Sequence, residues 1–203
     1  MCTVKSLNRL AAAVAAPAAA RRLALAVLPA LLVIATAPGG ARAANYQSVL
    51  ADKSRIGFSF KQMGVTMDGR FRKFSAQVLF DTDKPTQARG RVDIDLNSVD
   101  AGSSEADQEV LGKSWFHVAA HPKASFLLEG MKPISGGQYE AAGRLTLKGQ
   151  TRELRVPLKL SPQGVLTGSF VLRRADFGIG EGMWTKFDIV ANEVTVHLAL
   201  ELK

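Results

Sequence analysis

Cysteine is nearly missing from this chain of 203 residues: the single one, Cys2, stands at the very start. A structural disulfide, an iron–sulfur cluster, a thiolate zinc site and a cysteine nucleophile are thereby excluded for everything beyond it. Acidic residues are missing from the first 43 positions, where Lys5, Arg9, Arg21, Arg22 and Arg42 carry charge of one sign only. Histidine occurs three times. The sequence also lacks a nucleophile elbow, a P-loop, a dinucleotide fingerprint and a His-Glu-x-x-His metal motif. These absences remove the common routes to nucleotide, metal and covalent chemistry.

The acid-free head is followed by an apolar run from Leu23 to Ala37, interrupted only by Pro29 and Thr36. The run is about 15 residues long, short of the roughly 20 that cross a bilayer as a helix. Ala41-Arg42-Ala43 then supplies the small-x-small pattern that signal peptidase reads. Residues 1–43 are therefore expected to be an export signal cleaved after Ala43, and residues 44–203 one domain working outside the cytoplasm. The competing reading, an uncleaved anchor, fits poorly with a cleavage pattern so close behind the apolar run. Five of the 26 basic residues and none of the 18 acidic ones fall in the head, so the remainder carries +3 rather than +8. What remains mixes both signs, as in Arg89, Arg91, Asp93 and Asp95, and lacks the clustered basic face that nucleic acid requires.

From Ala44 onward, apolar residues alternate with polar ones, the period of half-buried strands. Ile56, Phe58 and Phe60 share a face. So do Phe74, Ala76, Val78 and Phe80, then Val92, Ile94 and Leu96, then Leu145 and Leu147. The pattern continues in Leu154, Val156, Leu158 and Leu160, in Leu166, Gly168, Phe170 and Leu172, and in Val194, Val196, Leu198, Leu200 and Leu202. Phe126 to Glu129 adds a short strand, for about eight. The links 81–85, 135–137, 148–150 and 161–164 carry tight-turn residues, which implies antiparallel neighbours. Ser103 to Gly112 is expected to be a short helix with Glu105, Asp107 and Glu109 near its start. Eight strands with one apolar face each must bury those faces against one another, in a sandwich or a barrel, and the barrel is preferred.

Few residues here point to catalysis. His117 and His121 are four apart, but Pro122 pushes His121 towards extended backbone, so both read as surface or loop histidines rather than ligands. His197 shares its strand face with Thr195 and Glu201 and reads as solvated. Asp93 and Asp95 lie opposite the apolar face of their strand and point outward. Arg173-Arg174 ends a strand; it reads as a solvated strand end, with contact to an anionic head group as the alternative. All ten phenylalanines and both tryptophans follow residue 43. Small residues on the same faces, such as Ala76 and Gly168, leave two readings open, a dense core or a cavity, and Gly168 fits equally a bend in a curled strand.

Five segments together resemble the YceI-like family of periplasmic polyisoprenoid-binding proteins. Asp52 to Val65 looks like the family's first strand and turn, and Gly69-Arg70-Phe71-Arg72-Lys73-Phe74 like its G-x-F-x-x-F element. Trp115-Phe116 with His121-Pro122-Lys123-Ala124-Ser125-Phe126 is similar to its aromatic pair and P-x-A-x-F strand start. Gly143 to Arg152 resembles the G-x-L-T-I-x-G-x-T-R hairpin, and Arg174-Ala175-Asp176-Phe177-Gly178-Ile179-Gly180 the R-x-D-F-G-I segment. The likeness spans residues 46–202. Two positions depart from it: His121 replaces an aromatic residue, and Met183-Trp184-Thr185-Lys186-Phe187 a more acidic segment.

The resemblance implies an all-β, eight-stranded antiparallel barrel of lipocalin-like shape with one short helix, holding a polyisoprenoid such as an isoprenoid quinone or polyprenyl phosphate, without catalytic residues, metal or cofactor. Taken with the apolar faces, it implies a lining of Phe58, Phe60, Phe74, Phe80, Ile94, Phe126, Leu145, Leu147, Gly168, Phe170 and Leu172. The expected partners are the lipid, a membrane protein or membrane surface from which it loads, and a second copy in a homodimer. An enzyme acting on the isoprenoid or its head group at the barrel mouth, with His121 and Arg174 as candidates, is the alternative. A structural protein with a solid core is the third reading.

Overall fold

Alternating side chains become one 11-stranded antiparallel sheet in the computed structural model, which describes residues 44–203. The export signal expected over residues 1–43 lies outside the described residues. The strands are β1 (Asn45–Tyr46), β2 (Val49–Gln62), β3 (Val65–Phe71), β4 (Phe74–Asp81), β5 (Arg89–Asp95) and β6 (Val99–Asp100). The helix α1 (Ser104–Leu111) follows, then β7 (Lys123–Pro133), β8 (Gln138–Leu147), β9 (Gln150–Leu160), β10 (Val165–Arg173) and β11 (Val190–Leu202). Their spatial order is β1-β4-β5-β7-β8-β9-β10-β11-β2-β3-β6.

The expected count of eight is thus corrected to 11, and the reason is local. Strands β1 and β6 have two residues each, too few to show a period. Strand β3 presents Met67, Gly69 and Phe71 inward, and the glycine breaks the apolar row. That glycine is required, because it stands opposite Phe58 in the ladder and a Cβ there would fall on the Phe58 ring.

A closed barrel is corrected to a curled half-barrel with two seams. Among the described residues β3 and β4, consecutive in sequence, form no ladder with each other. Buried Ser98 stitches this seam: Arg72 N–H donates to its carbonyl (3.0 Å) and Lys73 N–H to its Oγ (2.9 Å). The second seam lies between β9 and β10, whose pairing is confined to Leu160–Leu166, Lys159–Thr167 and Leu158–Gly168. Pro157, which has no N–H to offer, comes next in register. Farther along, Arg152 reaches over to donate to the Asp176 carbonyl (2.6 Å) and lies 5.9 Å from the centre of the Phe177 ring.

One end of the curl is packed solid. Phe80 and Leu166 are among its least exposed side chains, with Tyr139 edge-on to Phe80 at 5.2 Å and Tyr46 stacked on it at 6.1 Å. The other end is roofed by α1, by Trp115 and Phe116, and by the segment from Arg174 to Val190. Helix α1 starts and stops as expected. Ser103 accepts from Ala106 N–H (3.2 Å), and Gly112 follows the last turn.

Candidate functional site

Between the packed floor and the roof lies a hollow of about 760 Å³. This is within the range of about 300–1,000 Å³ usual for small-molecule sites. Its wall comes from the inward face of nearly every long strand, and the side chains that form it are unlike core residues in one respect. Phe58, Phe60, Val92, Ile94, Phe126, Leu154, Phe170, Leu172, Val194, Val196 and Leu198 point inward and yet are only half-buried. Among the described residues nothing covers their inner surfaces, so apolar area is left facing the hollow at a cost of roughly 25 cal/mol per Å².

Of the residues expected to line the site, Phe58, Phe60, Ile94, Phe126, Leu145, Leu147, Phe170 and Leu172 border the hollow. Phe80 and Phe74 do not. Phe80 belongs to the packed floor, and Phe74 packs against the same core cluster from one side. Gly168 is also corrected: a Cβ there would lie 2.6 Å from Leu158 Cδ2 and 2.8 Å from the Pro157 carbonyl oxygen. The missing side chain makes room for strand β9, not for a ligand. Wall residues not expected include Met67, Phe71, Leu154, Phe116 and Trp184. Met67 and Phe71 went unseen with β3, whereas Trp184 sits in a loop whose position no period reports.

The roof is held by two polar devices. Arg174 was expected to be solvated or to meet a head group, and it does neither. It is 3 % exposed and its guanidinium donates to five carbonyls: Ile179 (2.9 Å), Gly180 (3.4 Å), Trp184 (2.7 Å), Val190 (2.9 Å) and Ala191 (3.1 Å). The rings of Trp115 and Phe187 lie 5.2 and 5.1 Å from it. All five of its N–H groups are used, so none is left for a ligand. Burial pushes its pKa down, and among the described residues it forms no salt bridge. The second device is Glu109, whose Oε1 accepts from Trp115 Nε1 (3.1 Å) and Trp184 Nε1 (3.0 Å), holding the two indoles 5.3 Å apart.

The other candidates stay apart from this hollow. His117 and His121 meet edge-on at 5.8 Å, and the His121 ring sits against Gly149 in the β8–β9 turn. Among the described residues no group of three His, Cys, Asp or Glu side chains is placed to hold a metal ion. His197 is exposed on the outer face, between Ser59 (3.0 Å) and Ser169 (3.1 Å). Asp93 is outside as well, bound to Arg91 (2.7 Å) and Ser125. The lining is mostly apolar; its polar members are Gln62, Ser103, Glu105 and Glu109 near the mouth, together with Arg91 and the fully hydrogen-bonded Arg174.

The structure is thus a curled antiparallel sheet with one helix, wrapped around a mostly apolar hollow. The chain belongs to the YceI-like family, whose domain is matched over residues 48–202. It is 34 % identical over 128 residues to a UPF0312 protein of Yersinia pestis, covering 62 % of this chain and 66 % of that relative's length. A UPF0312 protein of Pectobacterium atrosepticum is 32 % identical, over 68 % of this chain and 71 % of its own. Among solved structures, BcnA of Burkholderia cenocepacia superposes with a TM-score of 0.72 at 35 % identity, covering 75 % of this chain and 98 % of that one. A polyisoprenoid binding domain from Saccharophagus degradans shares the fold, with a TM-score of 0.57 at 16 % identity over 79 % of this chain and 99 % of its own.

Proposed function

We propose that this protein binds a polyisoprenoid lipid in the hollow and carries or stores it outside the cytoplasm. The observation that carries this reading is the ring of inward apolar side chains left half-exposed around about 760 Å³. The family supports it, as does the polyisoprenoid-binding neighbour of the same fold. An isoprenoid quinone or polyprenyl phosphate would place its chain among Phe58, Phe126 and Phe170 and its head group towards Gln62 and Ser103 at the mouth.

Energetics favour exchange over capture. A chain of about 40 carbons gains on the order of 30 kcal/mol on leaving water, beyond the ceiling of about 18–21 kcal/mol for non-covalent affinity. Free lipid in water is therefore not the competing state. The relevant balance is hollow against bilayer, two apolar hosts of similar quality, and a near balance is what loading and unloading require.

The test is solvent extraction of protein purified from the cell envelope, followed by mass spectrometry. A bound isoprenoid is expected, and the intact mass of the same sample reports cleavage after Ala43. Lipid-free preparations that also refuse added quinone would overturn the reading.

A further inference from the structure

Large apolar side chains are exposed at several places, but Met63, Val65, Met183, Phe187 and Ile189 are gathered in two segments at one end. The first is the β2–β3 turn and the second is the stretch from Gly182 to Ile189. Met63 N–H donates to the Ile189 carbonyl (2.7 Å), which ties them together. Both segments border the mouth, since Gln62, Trp184 and Val190 belong to the wall of the hollow.

Met63 is the most telling of the group. It is 77 % exposed and has φ 49°, beside Gly64 at φ 81°. A two-residue turn with positive φ at both positions favours Asn, Asp or Gly. Neither turn chemistry nor packing accounts for a methionine there. Met183, 79 % exposed, packs no better.

The charge beside this lip is positive. Lys61 and Lys186 flank it, both exposed and, among the described residues, in no ion pair. Glu181 is held by Lys148 at 3.1 Å. Asp188 is the one carboxylate within the segment otherwise unpaired with a base, and its Oδ1 accepts from Ile189 N–H (3.0 Å). Helix α1 adjoins this lip, joined to it by the hydrogen bond from Trp184 Nε1 to Glu109 (3.0 Å), and carries the exposed carboxylate of Glu105. The exposed apolar side chains and the two free lysines are gathered along the β2–β3 turn and the 182–189 segment.

We propose that this lip docks on the surface of a bilayer containing anionic phospholipids, with Met63, Val65, Met183 and Phe187 entering the interface and Lys61 and Lys186 meeting the head groups. The inference rests on the lipid-binding reading for its purpose, because docking sets the open mouth against the source of the cargo. Its geometry stands independently of that reading.

Flotation of the purified protein with phosphatidylcholine vesicles, with and without phosphatidylglycerol, tests it. Binding is expected with phosphatidylglycerol and should weaken as salt rises. Met63→Asn suits the left-handed turn and keeps the fold. Combined with Met183→Ser, it is expected to lower vesicle partitioning roughly tenfold or more. Ile134→Ser, at a position 59 % exposed in the β7–β8 turn at the packed end, should change nothing. Wild-type protein that fails to float with anionic vesicles, or a double variant that floats equally well, overturns the proposal. So does sedimentation showing that the lip serves a dimer of this chain instead. Uptake of retinol from cyclodextrin, measured by fluorescence without any bilayer, reads the hollow separately. Uptake without vesicle binding refutes the docking lip and leaves the lipid-binding reading standing; vesicle binding without uptake does the reverse.

Discussion

Arg174 carries its charge in the roof without a salt bridge among the described residues, and five backbone carbonyls take that place. Three of those carbonyls, of Ile179, Gly180 and Trp184, belong to the irregular segment that closes the hollow, and two, of Val190 and Ala191, to the start of β11, so one side chain ties the segment to the sheet. Gly180 completes the arrangement: its φ is +83° and a Cβ would fall on Nη1 of Arg174. Lysine offers three donors in place of five and no planar fork. Arg174→Lys is therefore expected to lower stability by about 2–4 kcal/mol in urea denaturation and to weaken the near-ultraviolet signal of the Trp115–Trp184 pair. An unchanged midpoint would show that the carbonyls find partners elsewhere. None of this was legible beforehand. An arginine after a strand looks solvated unless the fold of the following loop is known, and here the loop folds around the arginine.

At the scale of elements, a period of two was enough to mark each long strand that has apolar side chains at successive inward positions. It failed at β3, where Gly69 yields its place to the Phe58 ring, and at β1 and β6, which are too short to have a period. The outward faces were legible too, and they carry a pH dependence. On β5 the hydrogen bond from Arg91, helped by one from Ser125 on β7, holds the Asp93 carboxyl below the usual carboxylate range despite some burial. Its folded pKa lies below the unfolded value of about 3.9. The stabilisation is therefore complete above that value and is lost as pH falls through the folded pKa. Asp93→Asn should accordingly melt below wild type at pH 7, with the two converging as pH is lowered beneath about 4. A difference that persists unchanged at low pH would assign the loss to something other than charge.

For the whole molecule, the sequence could indicate which faces turn inward but not how far apart opposing faces stand. Periodicity is the same for a filled core and for a hollow, and the half-buried state of Val196, between Phe58 and Phe170 in register, appears only once the sheet has curled. That position gives a direct test. Val196→Phe adds volume to the hollow rather than to packed core, so lipid-free protein should be as stable as wild type or more so by up to about 1 kcal/mol. Its isoprenoid occupancy should fall, as read by mass spectrometry of extracts. Loss of stability with unchanged occupancy would mean that Val196 does not face the ligand.

The two seams bear on how much the protein can hold. In a fully laddered barrel, strand number and stagger fix the girth, and widening it means breaking a continuous hoop of backbone hydrogen bonds. Here the hoop is cut on both sides, at Ser98 and along the splayed ends of β9 and β10. The circumference behaves like a split collar with few fasteners: the carbonyl and hydroxyl of Ser98 at one gap, and Arg152 with Phe177 at the other. Its bore is therefore adjustable at the cost of a few contacts, which suits guests of differing thickness.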